Sequence, residues 1–142
     1  MVSDTADRQG LDNTPDEISI NNLKALVENI LQPVRDFYEK PVKISSGYRS
    51  PDVNTAVGGS KTSDHCKGQA ADIEIAGVDT ADLASYIAET YKFTQIILEF
   101  YTPGVSDSGW VHVSYDPKNL KCETLTATKR DGKTVYLKGF VI

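Results

Sequence analysis

The amino-acid sequence predicts an α+β fold, with a single domain built on a central antiparallel sheet that is flanked by helices. At 142 residues, the chain has the size of one domain. Helical periodicity is confined to a few segments, and short alternating segments follow without a regular strand–helix–strand repeat. Hydrophobic residues at 39% and charged residues at 25% are typical of a soluble globular protein.

A long helix is predicted after an irregular arm formed by residues 1–13. Thr14 is the expected N-cap, with Pro15 at the first helical position and Glu17 completing a capping box. Apolar residues at helical spacing predict one buried face: Leu23, Leu26, Val27, Ile30, Leu31, Val34 and Phe37. Pro33 should kink or divide the helix, because its ring removes a backbone hydrogen bond.

The remaining elements are short. "PVKISSG" is a strand candidate, and "SPDVNTAVGG" is a capped helical turn. "AADIEIA" alternates, so Asp72 and Glu74 share one face of a predicted strand. Asp79 is the expected cap of a helix that continues to Tyr91. "TQIILEFY" and "WVHVSY" are strand candidates, and residues 124–142 are predicted to form a hairpin turning at "DG".

Composition excludes several classes of function. A net charge of −5 without a basic cluster argues against nucleic-acid binding. No run approaches the roughly 18 apolar residues of a membrane span, so no membrane insertion is expected. The opening "MVSDTADRQGLDNTPDE" has no apolar signal segment, so we expect synthesis in the cytoplasm. Cys66 and Cys122 are either free thiols or one bridge.

The two histidines of the chain, His65 and His112, suggest a metal site. Catalytic zinc takes three protein ligands from His, Asp and Glu, and His65, Asp72 and His112 meet that count. Alternation places His112 on one strand face with Trp110 and Ser114. The alternative is that the histidines are structural and Asp72 caps a loop, and residue types alone leave the two interpretations open.

The surrounding sequence resembles the zinc peptidases that cut bacterial peptidoglycan peptides. The family includes D-alanyl-D-alanine carboxypeptidases, vancomycin-resistance D,D-dipeptidases and phage endolysins, and it shares its fold with the hedgehog signalling domain. Its signature is Ser-x-His-x6-Asp followed by Trp-x-His, which Ser63, His65, Asp72, Trp110 and His112 match. The segments "TADRQGLDNTP" and "NLKALVENILQPVRDFY" are similar to phage and prophage members in particular.

The resemblance implies that zinc is bound by His65, Asp72 and His112, where it would polarise a peptide carbonyl and activate water. A glutamate usually takes the proton of that water. Many family members place it three residues before the second histidine, but position 109 is glycine in this sequence.

Glu99 is the best substitute for that glutamate. If "QIILEFY" and "WVHVSY" pair, Glu99 is expected roughly opposite His112 and on the same face. Glu74 and Asp107 are the competing bases, and a solvent-facing role for Glu99 is the structural alternative.

Arg49 resembles the family arginine that holds the scissile carbonyl or a nearby carboxylate, because a guanidinium offers a rigid fork of donors. The alternative is a surface arginine paired with Asp52. Further substrate contacts are expected from Ser63, Tyr48, Trp110 and Gln95.

The resemblance implies a zinc metallopeptidase that hydrolyses amide bonds in peptidoglycan stem peptides or cross-links. Endopeptidase activity, as in phage endolysins, and D,D-carboxypeptidase activity both remain open. The similarity of this sequence to phage members predicts that the protein acts on the cell wall, after release through a membrane lesion or delivery with a virion. The alternative function is a non-catalytic wall-binding or virion structural module that keeps the fold and the metal site.

Overall fold

A computed structural model of the protein describes residue 10, residues 13–59 and residues 63–142. Most of the predicted N-terminal arm therefore lies outside the described residues. In chain order the elements are α1 (Glu17–Leu26), a π-helical turn (Val27–Leu31), α2 (Gln32–Tyr38), β1 (Lys43–Ser46), α3 (Pro51–Ala56), a 3₁₀ turn (Asp64–Lys67), β2 (Ala70–Glu74), α4 (Thr80–Thr90), β3 (Gln95–Glu99), β4 (Trp110–Ser114), β5 (Glu123–Arg130) and β6 (Lys133–Lys138).

The strands form one six-stranded sheet in the order β1-β2-β4-β3-β5-β6, which confirms the predicted α+β class. The sheet is mixed rather than antiparallel throughout, because β3 and β5 run parallel. The remaining neighbours pair antiparallel. The parallel pair arises because β5 reverses direction relative to β4 but lies on the far side of β3.

One face of the sheet is covered by helices and forms the hydrophobic core. The sheet contributes Ala71, Ile73, Ile96, Leu98, Val111 and Val113. The helical layer contributes Leu26, Ile30, Val34, Leu83 and Ile87. Each fully buried aliphatic side chain stabilises the fold by about 1.5–3 kcal/mol. Because strand residues alternate between faces, the other side chains of these strands lie on the opposite face, away from the helices.

The first helix begins later than predicted. Its N-cap is Asp16, whose carboxylate accepts a hydrogen bond from the backbone N–H of Ser19 at 2.7 Å. The predicted capping box starting at Thr14 is therefore wrong. Asp16 takes over the cap because its side chain reaches the orphan N–H three residues on, as N-caps do.

The predicted interruption near Pro33 is confirmed, since a π-helical turn separates α1 from α2 and Pro33 lies in the first turn of α2. The predicted burial of Phe37 is wrong. Its side chain is 58% exposed, and its ring stacks on Tyr86 with centroids 4.1 Å apart. Val27, at the start of the π turn, is also exposed.

The other local predictions are confirmed. Ser50 caps α3, and Asp79 caps α4 by accepting from the N–H groups of Ala81 and Asp82. The C-terminal hairpin turns at Asp131 and Gly132, which both have positive φ, as a two-residue type I′ turn requires.

Both cysteines are free thiols. Within the described part of the chain, no helix has both the length and the apolar character needed to cross a bilayer.

Candidate metal centre

Strand register brings two of the predicted ligands together. In the antiparallel β2–β4 pair, Asp72 lies directly opposite His112. Directly opposed residues on adjacent strands point to the same face, so both side chains project away from the helical layer. Ala71 and Val113 form the neighbouring pair on the other face and are buried in the core.

His65 is delivered by the 3₁₀ turn before β2. Ser63 caps this turn, because its hydroxyl accepts a hydrogen bond from the His65 N–H at 3.2 Å. Gly68 ends the turn with a φ of +70°, and a Cβ at this position would overlap the carbonyl of Ser19. The glycine therefore allows the turn to pack on α1 and to direct His65 towards the sheet.

The three side chains converge on one oxygen of Asp72. Oδ1 lies 3.3 Å from His65 Nε2 and 3.1 Å from His112 Nδ1. One ligand atom from each residue lies within 4.8 Å of the other two. The predicted ligand set is thus assembled from a turn and two strands.

The hydrogen bonding of His65 leaves Nε2 as the ring nitrogen that a metal ion could use. The ring is 2% exposed, and its Nδ1 lies 2.7 Å from the carbonyl oxygen of Gly47. A carbonyl only accepts, so Nδ1 carries a proton, and Nε2 is the ring atom that faces Asp72. Nε2 lies 3.3 Å from Asp72 Oδ1, where either a proton on Nε2 or a metal ion can join the ring to the carboxylate.

Asp72 is held as a carboxylate. Burial alone would raise its pKa, but hydrogen bonds from His112 and His65 outweigh that effect and place the pKa well below its usual range. The group therefore keeps its negative charge at neutral pH, which is the state in which it binds a metal.

A cavity of about 530 Å³ lies above the three side chains. Its lining includes all three ligand candidates and most of the other predicted site residues: Arg49, Gly58, Gly59, Ser63, Asp64, His65, Asp72, Gln95, Ile97, Glu99, Trp110, His112, Leu125 and Tyr136. The site is therefore an accessible cleft on the sheet face away from the helices.

Glu99 reaches this cavity from β3, but not by the predicted register. It pairs with Trp110, and Ile97 is the residue opposite His112. Alternation still places Glu99 on the site face. Burial and the nearby carboxylate of Asp72 raise the pKa of Glu99, while His112 acts in the opposite direction. A raised carboxyl pKa suits a group that accepts a proton and then returns it.

The glycine at position 109 has a structural reason. Gly109 has a φ of +63°, and a Cβ there would overlap the backbone oxygen of Glu99. The positive φ and the lack of space for a Cβ both exclude a glutamate at position 109. The other two competing bases, Glu74 and Asp107, line a separate cavity, and Glu74 pairs with Lys43 at 3.7 Å.

Arg49 lies beside the ligands rather than on the outer surface. Its Nη2 donates to the Ser63 hydroxyl at 3.3 Å, and its backbone N–H donates to the carbonyl of His65 at 3.0 Å. The buried Nε of Arg49 has no hydrogen-bond partner in the described part of the chain. No ion pair joins Arg49 to Asp52 within the same residues, so the guanidinium is available to a ligand.

The remaining predicted contacts divide into two groups. Gln95 and Trp110 line the cavity, and Gln95 is held by a hydrogen bond to Glu123 at 2.6 Å. Tyr48 is buried, with 7% of its surface exposed, and it is not one of the described residues that line the cavity. Its predicted contact with substrate is therefore not supported.

Sequence reasoning missed the far wall of the cavity, which Leu125 and Tyr136 of the hairpin supply. Their alternation on β5 and β6 is visible in the sequence, but the parallel pairing that brings β5 next to β3 is not.

A family model described as Peptidase M15 matches residues 1–114, which is most of the chain. The chain belongs to the peptidase M15 family. M15 peptidases are zinc-dependent, and the His65, Asp72 and His112 group provides a set of residues that could hold this metal. Membership of the M15 family also indicates a peptidoglycan-type substrate. No curated protein matches the chain.

Proposed function

We propose that the protein is a zinc peptidase that hydrolyses amide bonds in peptidoglycan stem peptides or cross-links. The observation that carries this proposal is the convergence of His65 and His112 on one oxygen of the ionised Asp72, inside an accessible cleft. Membership of the M15 family supports the same chemistry.

His65, Asp72 and His112 would hold the zinc ion. When bound, zinc polarises a peptide carbonyl and lowers the pKa of water, which makes water a nucleophile at neutral pH. The protein's own contribution is orientation: the Gly47 carbonyl fixes the tautomer of His65, and the β2–β4 register fixes Asp72 against His112.

Glu99 is the proposed general base. It is part of the same cavity, it is partly buried, and its raised pKa makes it a stronger proton acceptor than an ordinary carboxylate. Trp110, directly opposite on β4, forms the wall beside it. Glu99 would take the proton of the attacking water and pass it to the leaving amine.

Arg49 is proposed to bind the substrate. Arg49 lines the cavity, where its guanidinium would donate to a substrate carbonyl or carboxylate. Ser63 holds the other side of the guanidinium and so sets its direction.

Sequence similarity to phage members supports the further proposal that the enzyme reaches the cell wall by phage-type release or delivery.

The direct test is digestion of purified peptidoglycan by zinc-loaded protein, with mass analysis of the products and elemental analysis of the protein. Separated stem peptides are expected for an endopeptidase, and release of terminal D-alanine for a carboxypeptidase. A protein that binds zinc in a one-to-one ratio but releases neither product would instead be the non-catalytic wall-binding module.

A further inference from the structure

We propose that the C-terminal hairpin β5–β6 is a substrate subsite, in which Tyr136 and Lys138 select an acidic peptide that continues beyond the cleaved bond. This inference rests on the proposed peptidase function and extends it. The family match ends at residue 114, so the hairpin lies outside the matched segment and would provide a specificity particular to this chain.

Strand register carries the site face from the metal ligands to the hairpin. Residues opposite one another on neighbouring strands share a face. One such row runs across four strands through His112, Ile97, Leu125 and Lys138. The adjacent row runs through Trp110, Glu99, Ala127 and Tyr136. The hairpin residues are therefore continuous with the catalytic surface.

The first of these rows forms an apolar floor that leads away from the ligands. Ile97 and Leu125 lie between His112 and the hairpin, and both line the cavity. Tyr136 also lines the cavity, although its side chain is 57% exposed. An exposed aromatic ring beside an apolar floor is suited to pack against the side chain or backbone of an extended peptide.

Lys138 places a positive charge at the end of this floor. Three strand spacings separate it from His112, which corresponds to about 14 Å, or about four residues of extended peptide. Lys138 is exposed and forms no ion pair within 4 Å among the described residues, and its charge helps to lower the pKa of Glu123. The neighbouring carboxylate of Glu123 is already engaged by Gln95 and by Lys121 at 3.4 Å.

The charge of the hairpin fits an acidic ligand. Residues 123–138 carry four basic and two acidic side chains, whereas the whole chain has a net charge of −5. Lys129 and Lys138 lie on the site face, and Arg130 and Lys133 lie on the opposite face. A peptide bearing a free carboxylate several residues from the cleaved bond would therefore meet Lys138 on the site face.

The cleft also extends from the metal ligands to the side away from the hairpin. Arg49 and Ser63 line it on the side of the 3₁₀ turn, while Leu125 and Tyr136 line it on the side of the hairpin. Because the lining continues on both sides of the ligands, the cleft suits a bond inside a longer peptide. We therefore expect endopeptidase activity, with little activity on a terminal dipeptide.

The experiment compares Tyr136→Ala, Tyr136→Phe and Lys138→Ala with Lys133→Ala, which removes the same charge from the opposite face of β6. Each zinc-loaded variant is assayed on soluble peptidoglycan fragments, with and without amidation of their free carboxylates. We expect Tyr136→Ala to raise KM about tenfold, with kcat changed less than about twofold. Tyr136→Phe should retain most of the affinity, because the ring is kept.

Lys138→Ala should raise KM about threefold to tenfold on the free carboxylate peptides and leave the amidated peptides unchanged. Lys133→Ala should behave like the wild type on both. If Tyr136→Ala and Lys138→Ala cleave every substrate like the wild type, the subsite is wrong and the peptidase function still stands. Circular dichroism checks that each variant is folded.

Binding of the same fragments by calorimetry separates the two proposals. If the wild type does not cleave but binds the fragments, and Tyr136→Ala weakens that binding about tenfold, the subsite stands and the peptidase function fails. Equal binding by all variants, or no binding by the wild type, would overturn the subsite.

Discussion

At the scale of single residues, the two histidines narrowed the candidate ligands, and the resemblance to the zinc peptidases selected His65, Asp72 and His112. The position of Glu99, the proposed general base, was harder to predict. Strand alternation correctly placed Glu99 on the face of His112, but it left the register free, and the structure pairs Glu99 with Trp110 instead. A register is set by the turn between two strands, and the ten residues 100–109 do not specify one from their sequence.

Replacing Glu99 by glutamine tests the proposed base. Glu99→Gln keeps the size of the side chain and leaves all three ligands in place, so zinc should remain bound. Cleavage of peptidoglycan should fall by about a hundredfold to ten-thousandfold, the usual contribution of general acid–base catalysis. Elemental analysis and product release measure the two quantities.

Glu74→Gln is the matched control for this change, since Glu74 lies on β2 and lines a different cavity. It should cleave like the wild type. Loss of cleavage in Glu74→Gln, with activity retained in Glu99→Gln, would transfer the role of base to Glu74.

The raised pKa of Glu99 predicts how the free energy of unfolding depends on pH. Burial raises this pKa above that of the unfolded chain, so the folded state binds the proton more tightly. The contribution of Glu99 to stability is therefore largest at acidic pH and is lost as the pH rises through the folded-state pKa. In metal-free protein, Glu99→Gln should raise the free energy of unfolding at pH 7 but not at pH 3, as measured by urea denaturation.

At the scale of elements, the positions and types of the strands followed from alternation, and α4 and the hairpin followed from their cap and turn residues. The errors lie where one local signal competes with another. Asp16 competes with Thr14 for the N-cap, and the π turn interrupts the helical pattern before Phe37. The parallel β3–β5 pair was not predictable, because it depends on a long-range contact rather than on a local pattern.

The turn before β4 gives a prediction at this scale. Gly109→Ala forces a Cβ into the backbone of Glu99 and places an L-residue at positive φ. Gly104→Ala shares the positive φ, but no atom lies within 4 Å of its Cβ. We expect Gly104→Ala to cost about 1–2 kcal/mol of unfolding free energy and Gly109→Ala distinctly more.

Chemical denaturation measures both variants, and peptidoglycan cleavage reports on the position of Glu99. Gly104→Ala should keep full activity. Equal stability of the two variants would mean that the overlap with Glu99 does not exist in solution.

At the scale of the whole molecule, one sheet face forms the core and the other carries the site. The ligands therefore depend on the complete β2–β4–β3 arrangement, and the metal in turn should stabilise that arrangement. A ligand present at about 100 times its dissociation constant stabilises the folded state by about 2.7 kcal/mol. Adding zinc should raise the melting temperature of the metal-free protein accordingly.

His65→Ala should lose most of this zinc response, because one of three ligands is removed. Asp107→Asn, which changes a carboxylate outside the ligand group, should keep it. Scanning calorimetry with and without a chelator compares the three proteins, and an unchanged response in His65→Ala would contradict the assigned site.

The hydrogen bond between His65 and Gly47 has a consequence for how this site can change over time. The acceptor is a main-chain oxygen, which every amino acid at position 47 would supply. A substitution at position 47 leaves the acceptor atom in the chain and can act on this hydrogen bond only by moving the backbone. Sequence drift around this histidine is therefore constrained by the path of the backbone more than by the identity of its neighbour.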